Sequence, residues 1–300
     1  MKRFKLQQGN SEPYDITKDN FERLTLQKSP YMEKGQDGET RCFGICPGCD
    51  NPIQLIGLYK KLKNTEHPYG KHYNRDAPIA AYNEQAYKFC PYASNRYNSS
   101  EKELKKDLTD FEKGIYYTLR DNFDYAIFLL EDITGLKINN EFAGQILSDY
   151  LASKGYMYYG ATYYNIPWML LYFMIAKPCY HKLVKKDGPA YTMLISQKDI
   201  RLVHYKDSSY YVVEKAVGSS WLNLQFSAIL HNRNVVNDEV QEELLFVISS
   251  VNKSGLPVKL AETSLKINEY RFPKLIHSEK AKQHRNDKLL QMAKEYMPEI

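Results

Sequence analysis

Long apolar runs are missing from this 300-residue chain. The longest, residues 166–176, is about half of the ~20 residues a helix needs to cross a hydrocarbon core. Mean hydropathy is −0.57, which excludes a multispanning membrane protein. No apolar segment follows Lys2, Arg3 and Lys5, so no secretory signal is expected. The expected setting is the cytoplasm, with no membrane partner. The phosphate loop, the dinucleotide fingerprint, the nucleophile elbow and the His-Glu-x-x-His zinc helix are absent, and no Gly-Gly pair, internal repeat or low-complexity tract occurs. A dominant charge is lacking too. The net +5 comes from 41 basic and 36 acidic residues, too mild to diagnose nucleic-acid binding.

Tyrosine is plentiful, with 26 residues against 12 Phe and 2 Trp. Many crowd the stretch 156–168, where Tyr158, Tyr159, Tyr163, Tyr164 and Trp168 are candidate binding residues. Tyrosine offers large contact area at low rotamer cost, and its ring can stack on a base. Packing of these rings on a helical core is the competing reading. The charge is unevenly spread: +1 over residues 1–41, +3 over 42–100, −3 over 101–180 and +4 over 181–300. In the last segment, Lys280, Lys282, Arg285 and Lys288 are candidate phosphate contacts on a C-terminal basic helix.

The patterning implies an α+β fold with four parts. Residues 1–41 are polar, 42–98 form a metal module, 101–185 are helical, and 189–300 are a mixed antiparallel sheet with a terminal helix. The stretch 94–100 is the best boundary. A one-face stripe through Leu104, Leu108, Phe111, Ile115 and Leu119 predicts a helix, and Phe123, Ile127, Leu130 and Ile133 predict another stopped by Gly135. Asn139 or Asn140 caps a third, and residues 166–177, with Pro167 in the first turn, make a fourth. Strands are expected over 191–196, 200–205, 210–217, 221–230 and 258–267. Residues 237–251 fit a helix, although 244–248 also read as a buried strand. Ser278 is expected to cap the last helix.

Five cysteines are present, four of them in the first third: Cys42, Cys46, Cys49 and Cys90. An odd, clustered set is a poor disulfide framework, and in a reducing compartment it binds metal more often. The tight turn in Cys46-Pro47-Gly48-Cys49 lets two sulfurs reach one ion. Cys90, in Phe89-Cys90-Pro91, is the natural third ligand and Cys42 the fourth, with His72 as the alternative. Structural zinc is the expected cofactor. Cys42-x3-Cys46-x2-Cys49 also has the spacing that holds a 4Fe–4S cluster in radical S-adenosylmethionine enzymes. Here Gly48 replaces the aromatic residue usual before the third cysteine, and the α/β alternation of those enzymes is missing. Cys179, beside Tyr180 and His181, reads as a packing residue.

The run from Cys46 to Ile53, with a following strand, resembles a zinc-ribbon knuckle. Together with Pro68-Tyr69-Gly70-Lys71-His72, it is similar to the N-terminal module of competence proteins of the CoiA type. The likeness covers residues 42–93. It implies a metal module and a link to DNA processing. Three functions follow as expectations. The first is a zinc-stabilised interaction protein acting with DNA, RNA or a nucleic-acid-processing partner, in a bacterial mobile-element or antiphage-defence setting. The second is a metal-dependent nuclease with its site within 189–276. The third is a protein-binding adaptor using the tyrosine-rich surface. Glu103-Leu104-Lys105 has the letters of a nuclease motif, but falls on a predicted surface helix.

Overall fold

The computed structural model describes residues 1–300 except 10–11, 36, 61–62, 64, 95–101, 219–222, 252–254 and 283–284. It is an α+β protein that divides into two compact units. The first comprises residues 1–103, 107–114 and 233–241; the second comprises 104–106, 115–232 and 242–300.

In the first unit, β1 (Arg3–Phe4) pairs antiparallel with β2 (Tyr14–Asp15), and α1 (Lys18–Thr25) follows. Thr17 caps that helix by accepting from the Asn20 N–H, and Leu26 closes it in the left-handed region. Four antiparallel strands form the main sheet: β3 (Met32–Lys34), β4 (Thr40–Ile45), β5 (Pro52–Ile56) and β6 (Tyr69–His72). The register sets Met32 opposite Cys42, Cys42 opposite Leu55, and Ile53 opposite His72. A short helix, α2 (Glu84–Lys88), completes the part that matters for the site. Met1, Phe4, Ile16 and Phe21 share one core with Cys42, Cys46, Ile53, Leu55 and Cys90. The polar N-terminal segment is therefore part of the same folded body as the cysteine module. A few apolar residues in a polar background suffice: Phe4 of β1 and Phe21 of α1 are fully buried, and Met1 and Ile16, just outside β1 and β2, join them.

The C-terminal two thirds begin with the helices α3 (Asp110–Asp121), α4 (Phe123–Thr134), α5 (Asn140–Ala152) and α6 (Ile166–Phe173). α4 is apolar on most of its circumference and ends on Gly135 at φ 73. Asn139 is the residue that caps α5. Every residue of α6 is buried, so the chain's longest apolar run is a core helix. The stripe that begins at Leu104 becomes helical only from Asp110. Glu112 Oε2 accepts the Thr109 N–H at 2.9 Å and Thr109 Oγ1 accepts the Phe111 N–H at 3.3 Å, which caps the helix there, and Leu104 instead bridges Tyr158. Likewise α6 stops at Phe173, and residues Lys177–Pro178 form β7.

Beyond β8 (Leu183–Lys185) comes α7 (Pro189–Ile195), where the pattern had suggested a strand. Pro189 occupies the first turn, and Ala190, Met193 and Leu194 are buried at helical spacing. β9 (Ile200–His204) and β10 (Tyr210–Lys215) make the expected hairpin and join β8 in a three-stranded sheet. β11 (Asn223–Val236), β12 (Glu239–Val251) and β13 (Pro257–Ile267) add to β7 in a four-stranded one. Trp221 and Leu222, expected to open β11, lie outside the described residues. The helix expected over 237–251 is a strand. Asn237 and Asp238 both have positive φ, the requirement of a two-residue hairpin turn, and the buried run 244–248 is its core. Phe226 and Phe246 stack at 5.7 Å within that sheet.

Three helices end the chain: α8 (Arg271–Ile276), α9 (Glu279–Lys282) and α10 (Asp287–Tyr296). Ser278 receives the Ala281 N–H of α9, and Asn286 caps α10, so the single helix expected after Ser278 is two. No helix among the described residues is long and apolar enough to cross a membrane.

Candidate metal centre

Cys46 follows the last residue of β4, and the turn to β5 carries Cys49. Backbone bonds from the Cys46 N–H to the Asn51 carbonyl (2.8 Å) and from the Asp50 N–H to the Cys46 carbonyl (3.0 Å) close this knuckle. Asp50 takes the left-handed conformation at φ 58, a geometry Asp tolerates. Its carboxylate forms an ion pair with the buried Lys5 and accepts the Gly9 N–H at 2.9 Å. Burial pushes the Asp50 carboxyl up, and the Lys5 ammonium opposes that.

His72 ends β6 and comes beside the knuckle because β5 and β6 pair in register. Cys90 follows α2, its N–H bonded to the Tyr87 carbonyl at 3.0 Å. Three separate pieces of chain thus deliver Cys46, Cys49, His72 and Cys90 to one place, with all four ligand atoms within 4.8 Å of one another. Cys46 Sγ lies 3.7 Å from Cys90 Sγ, and Cys49 Sγ lies 3.3 Å from His72 Nε2. A tetrahedral metal bound at ordinary zinc distances separates two sulfurs by about 3.8 Å and a sulfur from a nitrogen by about 3.6 Å. The observed spacings are close to these, and the sulfur pair is far too long for the ~2.05 Å of a disulfide. This Cys3His group can hold a metal ion and is compatible with zinc.

Supporting polar contacts come from two asparagines. Asn51, 1% exposed, donates from Nδ2 to Cys49 Sγ at 3.3 Å and to the Asn83 carbonyl at 3.0 Å. Its Oδ1 accepts the Asn83 N–H at 2.6 Å. Asn83 Oδ1 in turn caps α2 through the Ala86 N–H. The knuckle and the helix that presents Cys90 are therefore tied through one amide, the kind of outer support that orients ligands. The Gly48 N–H points at Cys46 Sγ at 3.4 Å. His72 stands edge-on to Tyr87, ring centres 5.0 Å apart.

Burial pushes the Cys46 and Cys90 thiols well above the usual range. Burial also opposes ionisation of Cys49, but hydrogen bonds from Cys46, Cys90 and His72 outweigh it and hold that thiol well below its ordinary value. Of these three thiols, that of Cys49 is therefore the most readily ionised in the metal-free group.

Cys42 is outside the group. It sits within β4 opposite Leu55, buried in the core, with its thiol pushed up to about 11 by burial. His72, the alternative of the sequence reading, stands where Cys42 was expected. The three-cysteine set Cys42, Cys46 and Cys49 that an iron–sulfur cluster would need is not assembled. Cys179 is buried, as a packing residue should be.

The other candidate residues lie elsewhere. Tyr158, Tyr163 and Trp168 are buried, and Tyr159 and Tyr164 are half-buried, so the aromatic stretch is core rather than a free binding face. Lys280 and Lys288 are exposed, whereas Lys282 pairs with Glu279. Arg285 is consumed by a two-pronged bond to the buried Asp124, at 2.7 and 2.8 Å, and is no free phosphate contact. Asn51 and Asn83 were missed by the sequence reading. The one available signal was Asn83 standing before Glu84 as a helix cap. Among the described residues, the Cys3His group is the one cluster of three or more metal-ligating side chains. Among the described residues of 189–276, no group of three or more such side chains gathers.

Comparison with protein-family models, with curated proteins and with solved structures finds no match to this chain.

Proposed function

We propose that this is a zinc-stabilised interaction protein whose metal centre is structural and whose partner is nucleic acid or a nucleic-acid-processing protein. The observation that carries the metal half is the convergence of Cys46, Cys49, His72 and Cys90, with all four ligand atoms within 4.8 Å of one another. Three thiolates and an imidazole suit zinc, and four protein donors leave no open position for substrate, the pattern of a structural site. Five free cysteines fit a reducing cytoplasm. The partner half is supported by the likeness of residues 42–93 to the CoiA-type module. It is also supported by the +3 charge over residues 42–100, where Lys60, Lys71, Arg75 and Lys88 are exposed.

Elemental analysis of the purified chain is expected to return one zinc per molecule, and a folded, metal-free protein would sink the reading. Gel shifts with duplex DNA, single-stranded DNA and RNA at two salt concentrations test the partner. Binding that weakens with salt is expected, and no shift with any of the three removes nucleic acid from the proposal.

A further inference from the structure

The second unit holds a cleft of about 560 Å³ that has no part in the metal centre. Its apolar lining comes from α4, through Tyr125, Ile127 and Phe128, and from Ile138, Leu275, Ala281 and Leu289. The volume falls in the range of small-molecule sites. Phe128 is 56% exposed on a helix whose neighbouring positions are mostly buried, so a large apolar side chain of the cleft lining is left largely in water.

Charge then narrows the occupant. Both acids of the lining are neutralised from within. Asp124 accepts two bonds from Arg285 and one from the Asn286 N–H at 3.1 Å. Glu131 accepts from Lys137 at 3.0 Å and from the Ile138 N–H at 2.7 Å. Lys280 lines the same cleft, and makes no ion pair or hydrogen bond among the described residues. Asn140, the first residue of the 13-residue helix α5, also lines it, and a helix start adds positive potential. The result is an apolar floor with one unmatched cation at its rim. A single lysine suits one negative charge, whereas phosphate recognition characteristically gathers several cations or an arginine fork.

We propose that this cleft binds an amphipathic monocarboxylate, its apolar body against Phe128, Ile138 and Leu289 and its carboxylate at Lys280. The proposal rests on the second unit alone and is independent of the metal reading. Titration calorimetry with decanoate, on the full metal-loaded chain, tests it. One saturable site per chain is expected, with no comparable binding of decyltrimethylammonium, which has the same chain and the opposite charge. Lys280→Glu and Phe128→Asp each replace an exposed side chain, so both variants should fold, which circular dichroism checks. Each is expected to weaken decanoate about tenfold or more. The proposal is overturned by absence of saturable decanoate binding, by equal binding of the cation, or by unchanged affinity in both variants.

Discussion

Cys42 lies within β4 and Cys46 is the first residue past its end, four residues of extended chain or about 13 Å away. No metal spans that with ligand atoms held within 4.8 Å. A turn separates Cys46 from Cys49, and sheet pairing brings His72 from 23 residues away. This difference makes the ligand set testable. Cys42→Ala is expected to retain one metal per chain while losing some core packing. His72→Ala or Cys90→Ala is expected to lose the metal or bind it far more weakly. Chelator competition measures both, and loss of metal in Cys42→Ala alone would reverse the assignment. Asn51→Ala removes the amide that joins Cys49 to the cap of α2, and metal affinity should fall roughly 10–100-fold. Acid should also weaken binding. Burial raises Cys46 and Cys90, so these thiols hold their protons more tightly than Cys49 in the metal-free protein. Loading must release the protons that the raised thiols hold, so apparent affinity drops as pH falls. An indicator dye in weak buffer counts the protons, and pH-independent affinity would contradict the assignment.

Between elements, the tie from α4 to the start of α10 rests on Asp124 and Arg285. The carboxylate is 3% exposed and the guanidinium 27%, and the arginine also covers the Tyr125 ring at 4.4 Å. Removing one partner of a buried pair leaves a charge without compensation. Arg285→Ala is therefore expected to cost about 2–4 kcal/mol in urea unfolding, below the full buried-pair figure because the guanidinium is partly wet. Arg285→Lys should rescue little, since it cannot make the two-pronged bond. If Arg285 served nucleic acid instead, the alanine variant would lose binding with stability intact. Elements with local signals were legible in advance: α4 with its Gly135 stop, α5 with its asparagine cap, and the β9–β10 hairpin. Those that failed were short apolar runs, where periodicity is ambiguous. Residues 237–251 carry an apolar stripe that suits a helix, and only the paired positive φ values at Asn237 and Asp238 commit them to a hairpin.

On the scale of the molecule, the two units draw on different sources of stability. The second has a helical core built on Trp168, Phe123, Phe142 and Tyr150, whereas the first has short strands, short helices and a small cluster that includes its own cysteines. A metal centre contributes folding free energy directly, about 10 kcal/mol or more in small modules. Chelation is therefore expected to strip hydrogen-exchange protection from residues 1–94 while that of α4, α5 and α6 persists. Uniform loss across both units, or none, would show that the centre does not hold the first unit together. The α+β class, the central helices with the Gly135 stop and the asparagine cap of α5, and the Cys46–Cys49 knuckle could be read from the sequence, because each depends on residues within a few positions of one another. The fourth ligand, the asparagine support, the burial of the tyrosine-rich stretch, the Arg285–Asp124 bond and the cleft beside Phe128 could not. Each joins residues far apart in the chain, and strand register and helix packing alone decide which of many equivalent side chains meet.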